Sequence, residues 1–164
     1  SYMLKGLNEL FKLNLPKSEL LMYALELGSD CPFFIHEESQ IVGGRGEVLN
    51  AFPLSLKGFY LKIVNNGIHI GTKEAYDGIQ FSKGSSRVSE VLALPIEEWK
   101  EHLKNDFEAK VFELHPDLLD LKNKVYSEGA VYSSMTGSGS TIYGIYKSKP
   151  KLTFPNYFEQ IIEL

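Results

Sequence analysis

The 164-residue chain has one cysteine, one tryptophan and no excess of basic side chains. A lone Cys31 cannot close an internal disulfide, so the chain is not a stapled secreted scaffold. Seventeen Lys and Arg against 21 Asp and Glu leave a net charge of −4, which argues against nucleic acid and anionic membranes as partners. No long apolar run is present. The longest, Leu20 to Leu25, falls far short of the ~18 residues that suggest a membrane span. His36, His69, His102 and His115 have no nearby second histidine or CxxC companion, which excludes a zinc pattern. Ser85, Ser86 and Ser89 sit in no SxxK or GxSxG context, and the glycine-rich stretches lack the lysine of a P-loop. What is present is a 43% hydrophobic chain, expected to fold around a real core as a soluble, cytoplasmic protein.

Leu4, Leu7, Leu10 and Phe11 follow helical spacing from almost the first residue, with only Ser1 ahead of them as a cap. Apolar residues so near the start need a partner surface. The expectation is therefore either a helix docked on its own domain or a chain cut from a longer protein at Ser1. Pro16 opens a second helix, with Leu20, Leu21, Ala24 and Leu27 as its buried face and Gly28 as a left-handed stop. Cys31, Phe33, Phe34 and Ile35 read as a buried strand. Gln40 to Val42 returns as a strand into the glycine bend Gly43 to Glu47, and Asn50 to Gly58 reads as a crossover between domains.

Beyond the crossover, Phe59 to Val64 alternates as a strand, and Thr72 caps a short helix through Ala75, Tyr76 and Ile79. Lys83 to Ser86 is a flexible loop. Pro95 starts a helix through Trp99 and Leu103, and Asn105 with Glu108 forms a capping-box pattern for the next. Pro116 opens a further helix that ends at Gly129. Ala130–Met135 and Thr141–Tyr146 are strands joined by Thr136-Gly137-Ser138-Gly139-Ser140, and a last helix is expected from Asn156 to Leu164. This order predicts an α+β fold with helices on one face of an antiparallel sheet. The expected division is residues 1–56 and 57–164.

Two places could carry chemistry. Backbone freedom and hydroxyls around Gly137, Ser138 and Gly139 suit a nest of N–H groups for phosphate oxygens, or simply a hairpin turn. Asp30, between a helix-stopping glycine and the next apolar element, is placed to act as a base or metal ligand in a cleft, or to cap local N–H groups in an Asx turn. Cys31, in its apolar context, reads as an inert thiol.

Taken together, Gly28-Ser29-Asp30-Cys31-Pro32-Phe33-Phe34, Gly43-Gly44-Arg45-Gly46-Glu47, Asn105-Asp106-Phe107-Glu108 and Met135-Thr136-Gly137-Ser138-Gly139 resemble the GHMP small-molecule kinase superfamily. The match covers nearly the whole chain. Within the superfamily it is most similar to the members that phosphorylate a cytidine-diphosphate-linked methylerythritol in non-mevalonate isoprenoid biosynthesis. The resemblance implies a ferredoxin-like C-terminal domain preceded by the last helices and strands of an N-terminal domain. It also implies transfer of the ATP γ-phosphoryl group to the substrate 2-hydroxyl, with magnesium arriving on the nucleotide and no metal-ligating residue assigned.

Asp30 matches the family's catalytic aspartate. Gly137, Ser138 and Gly139 match a loop near the phosphates, Tyr76 falls where an aromatic ring meets cytosine, and Arg45 is a weaker candidate for a phosphate contact. The family's K-[IV]-N-L strand and its P-x-G-G-G-x-S-S loop are not found in these residues. The chain is accordingly expected to be a C-terminal portion, inactive by itself. Another GHMP kinase acting on a different alcohol, or a non-catalytic α+β binding module, remains an alternative reading at this point.

Overall fold

The computed structural model describes residues 1–36, 38–44, 46, 48–77, 79 and 88–164. The expected loop at Lys83 to Ser86, and Arg45 and Glu47, lie outside them. Residues group into two units, Ser1–Leu54 and Ser55–Leu164.

In the first unit, α1 (Tyr2–Leu10) is followed by α2 (Lys17–Leu27). The connection turns through positive φ at Lys12 and Asn14. Asn8 fixes it, with its side chain donating to Leu15 O at 3.2 Å and accepting from Leu15 N–H at 2.9 Å. Leu20 and Ala24 of α2 bury against Ile35, with Leu4 and Leu15 packed alongside. Leu27, expected on that face, is 69% exposed, and Leu10 and Phe11 remain 72% and 64% exposed. Pro16 is the N-cap of α2, with extended backbone, and not its first helical residue. Cys31–Ile35, expected as a strand, is a 3-10 helix. Pro32 in its first turn explains the correction: its ring fixes φ and removes the N–H that a strand ladder would need. Strands β1 (Gln40–Gly43) and β2 (Val48–Ala51) pair antiparallel from Gln40↔Ala51 to Gly43↔Val48. The first two residues of the expected crossover, Asn50 and Ala51, thus belong to a hairpin arm.

The second unit is a four-stranded antiparallel sheet in the order β4-β5-β3-β6, formed by β3 (Tyr60–Asn65), β4 (Tyr132–Met135), β5 (Ile142–Tyr146) and β6 (Phe158–Glu163). Between β3 and β4 run α3 (Thr72–Tyr76), α4 (Val88–Leu92), a 3-10 turn (Ile96–Glu98) leading into α5 (Trp99–His102), α6 (Glu108–Leu114) and α7 (Pro116–Ser127). Leu118, Leu121 and Val125 recur at helical spacing on α7 and bury with Val64, Met135 and Ile142 of the sheet. Gly71, and not Thr72, is the N-cap of α3.

The expected final helix is strand β6, whose six residues pair along the whole of β3. An open ladder on β3 outweighs the helical preference of its glutamates. Lys62, at the middle of β3, is fully buried. Its ammonium donates to Glu128 Oε2 at 2.8 Å, Lys151 O at 2.9 Å and Thr153 Oγ1 at 2.9 Å, and pairs with Glu159 Oε1 at 2.7 Å. It also lies 4.6 Å from the centroid of the Phe154 ring. A buried cation of this kind is tolerated because every donor has an acceptor. Among the described residues no helix is long and apolar enough to cross a membrane.

Candidate active site

Asp30 takes its position from the end of α2. Gly28 N–H donates to Ala24 O at 3.1 Å and closes the helix with φ 170°, an extended conformation and not the left-handed stop expected. Cys31 N–H then reaches back to Gly28 O at 3.0 Å, so Ser29 and Asp30 form a tight turn into the 3-10 helix. Asp30 precedes that helix with φ −88° and ψ −10°, its side chain makes no capping bond, and the residue is exposed. The Asx-turn alternative is therefore not what the structure contains.

The turn between β1 and β2 comes against this corner. Gly46 has φ +121°, and a β-carbon there would lie 2.6 Å from Ser29 O and 2.7 Å from Asp30 Oδ1. The glycine is required twice over, by its dihedral and by the approach. Here the sequence suggested only a bend next to charged side chains. A carboxylate held by its backbone, open to water and unused for capping, can accept a proton from an alcohol brought to it.

In the second unit the β4–β5 connection is a tight loop. Thr136 N–H donates to Thr141 O at 2.9 Å and Gly139 N–H to Thr136 O at 3.1 Å. Gly137 and Gly139 have φ +56° and +98°. A β-carbon at Gly139 would sit 2.8 Å from both Ile70 Cδ1 and Met135 Sδ. Among the described residues, the N–H groups of Gly137 and Ser138 find no acceptor. Two unsatisfied N–H groups next to positive-φ glycines have the make-up of an anion-binding nest.

The expected capping box at Asn105 and Glu108 is something else. Asn105 Nδ2 donates to Met135 O and to Gly137 O, both at 2.8 Å, while its Oδ1 accepts from Phe107 N–H at 3.0 Å. Glu108 is buried. Its Oε1 accepts from Met135 N–H at 2.7 Å and Ser134 Oγ at 2.9 Å, and its Oε2 from Lys122 Nζ at 2.6 Å. Both side chains turn to β4 and its loop, and Phe107 is the N-cap of α6. Tyr76 is 56% exposed and meets the Phe107 ring edge-on at 5.0 Å. The structure thus gathers Tyr76, Phe107, Asn105 and the Gly137–Gly139 loop in one part of the second unit, while Asp30 and Gly46 form their own corner in the first.

Three tyrosines, Tyr126, Tyr132 and Tyr143, are buried or half-buried in the second unit. Burial, with the neighbouring Tyr143 adding to it, pushes the Tyr132 hydroxyl far above its ordinary range, and burial likewise raises Tyr143 and Tyr126. No group of three or more His, Cys, Asp or Glu suited to a metal ion occurs among the described residues.

Residues 89–153, within the second unit, match the family model for the C-terminal part of GHMP kinases. More particularly, the chain is 42% identical over 155 residues to the 4-diphosphocytidyl-2-C-methyl-D-erythritol kinase of Bacteroides thetaiotaomicron, covering 94% of this chain and 56% of that one. It is 41% identical over 148 residues to the enzyme of the same name from Azobacteroides pseudotrichonymphae, covering 90% of this chain and 55% of that one. It therefore spans little more than half the length of these relatives. Among solved structures, a 4-(cytidine 5'-diphospho)-2C-methyl-D-erythritol kinase superposes with a TM-score of 0.71 at 23% identity, covering 85% of this chain and 51% of the other. The homoserine kinase of Cytophaga hutchinsonii gives 0.65 at 16% identity, covering 95% and 60%. At these identities the structural likeness shows the fold alone.

Proposed function

We propose that these residues work as the C-terminal portion of a kinase that transfers the γ-phosphoryl group of ATP to the 2-hydroxyl of 4-diphosphocytidyl-2-C-methyl-D-erythritol. The identity of 42% to a relative of that name is the observation that carries this reading. Phosphoryl transfer asks the protein mainly for alignment, neutralisation of charge and a group that takes the hydroxyl proton. Asp30, whose carboxylate is exposed and does no capping, takes the role of base. The loop Gly137-Ser138-Gly139 supports the nucleotide phosphates through the Gly137 and Ser138 N–H groups, which find no acceptor among the described residues. Tyr76 offers an exposed ring for the cytosine. Magnesium accompanies the nucleotide, and the setting is cytoplasmic.

The test is phosphate transfer from ATP by the protein that carries this chain, with the diphosphocytidyl alcohol and homoserine as competing acceptors. Preference for the diphosphocytidyl alcohol supports the reading, and preference for homoserine or transfer to neither overturns it. The 164 residues alone are expected to show no turnover, and measurable activity from them would remove that part.

A further inference from the structure

Glycines give a loop backbone freedom, and a nest of N–H groups binds an anion best when those groups are already aimed. Something outside the loop has to aim them. In this structure the hydrogen bonds of one side chain do so.

We infer that Asn105 is the positioning residue that aims the Ser138 N–H for an anionic oxygen. This rests on the phosphate role given above to the loop. In a planar trans peptide the C=O of one residue and the N–H of the next point in opposite directions. The bond from Asn105 Nδ2 to Gly137 O at 2.8 Å therefore turns the Ser138 N–H away from Asn105. The second bond, to Met135 O at 2.8 Å, likewise turns the Thr136 N–H away, where Thr141 O receives it at 2.9 Å. One amide thus sets two peptide planes, leaving one N–H satisfied within the loop and the other without an acceptor among the described residues.

The amide itself cannot flip. Its Oδ1 is committed to the Phe107 N–H at 3.0 Å, so the nitrogen has to face the loop. Nor can the strand end slide, because Met135 is held at both polar groups, its C=O by Asn105 and its N–H by Glu108 at 2.7 Å. Glu108 is anchored in turn by Lys122 at 2.6 Å. The segment from residue 105 to 108 is a bracket on the loop, and the Glu108 carboxylate within it is paired with Lys122.

The experiment follows the Ser138 amide by nitrogen–proton NMR in the protein that carries this chain, titrated with inorganic pyrophosphate, for the wild type, Asn105→Ala and Asn105→Asp. Asn105→Asp keeps the acceptor for Phe107 and sets an anion against two carbonyls, so it separates aiming from mere filling of space. Expected are a saturable shift of Ser138 in the wild type and affinity at least about tenfold weaker in both variants, with the dispersed spectrum of a folded protein in at least one of them. Equal affinity in a folded variant overturns the inference, as does a wild-type Ser138 signal that pyrophosphate leaves unmoved. The readout is independent of the acceptor alcohol. A failed kinase assay with a responsive, Asn105-dependent Ser138 would remove the proposed substrate and leave this inference standing.

Discussion

Asp30 Oδ1 lies 2.7 Å from the point that a β-carbon on Gly46 would occupy. The glycine turn and the carboxylate are therefore one structural unit, although 16 positions apart in sequence. Gly46→Ala meets a backbone oxygen of Ser29 as well as an unfavourable dihedral, and such strained positions cost about 1–3 kcal/mol. Chemical unfolding is expected to show that loss, together with a fall in turnover from displacement of Asp30. A variant with wild-type stability and turnover would show that the corner yields freely.

Asp30→Asn removes the proposed base and keeps the shape. Since the side chain makes no capping bond and is exposed, thermal unfolding should be nearly unchanged. Turnover by the kinase should fall by orders of magnitude, with KM for both substrates little affected. Retained turnover would take the base role from Asp30.

Tyr76 touches Phe107 but leaves more than half its surface in water. Tyr76→Leu is expected to spare the fold and to raise KM for the cytidine-bearing substrate up to about tenfold, since an aromatic contact contributes about 0.5–1.5 kcal/mol. KM for ATP is the internal control. An equal rise in both would place the ring elsewhere.

Lys62→Met leaves two carboxylates, Glu128 and Glu159, without their shared cation. Removing one partner of a buried pair costs about 3–5 kcal/mol, and urea unfolding should register a loss of that order. Combining the change with Glu159→Gln should recover part of it, because the orphaned charge goes too.

Glu159 gives the pH dependence its sign. Burial by itself would raise its carboxyl, but the bond with Lys62 and those from the Phe154 and Thr153 N–H groups outweigh burial and hold it below the ordinary carboxylate range. A depressed value means stabilisation that is complete above the unfolded glutamate's pKa of about 4.3 and is lost as pH falls through the lower folded value. The stability gap between wild type and Glu159→Gln should therefore be largest near pH 7 and shrink in acid. A gap that widens below pH 4 would contradict the assignment.

The β4–β5 pair and the role of α7 follow from patterns that sequence carries openly: Leu118, Leu121 and Val125 at helical spacing, and β-branched and aromatic runs on either side of the TGSG turn. Residues 158–163 read as part of a helix, and the deciding fact against it is a vacant ladder on β3, nearly a hundred residues distant. Pro32 was the local signal against a strand at Cys31–Ile35. Asn105 and Glu108 illustrate a different limit. Their spacing fits a helix cap, and only the arrival of β4 shows that both side chains have better partners at Met135 and Gly137. Lys62 was visible as a charge inside an apolar strand, but the acceptors that make its burial tolerable come from three separate later segments.

At the seam where the second unit begins, Gly58 N–H donates to Leu164 O at 3.0 Å and Leu164 N–H to Phe59 O at 2.9 Å. The residue that follows β6 is thus tied to the two that lead into β3, so the β3–β6 ladder is closed by the backbone just beyond its last pair, and the entry to β3 is held from a point a hundred residues later in the chain.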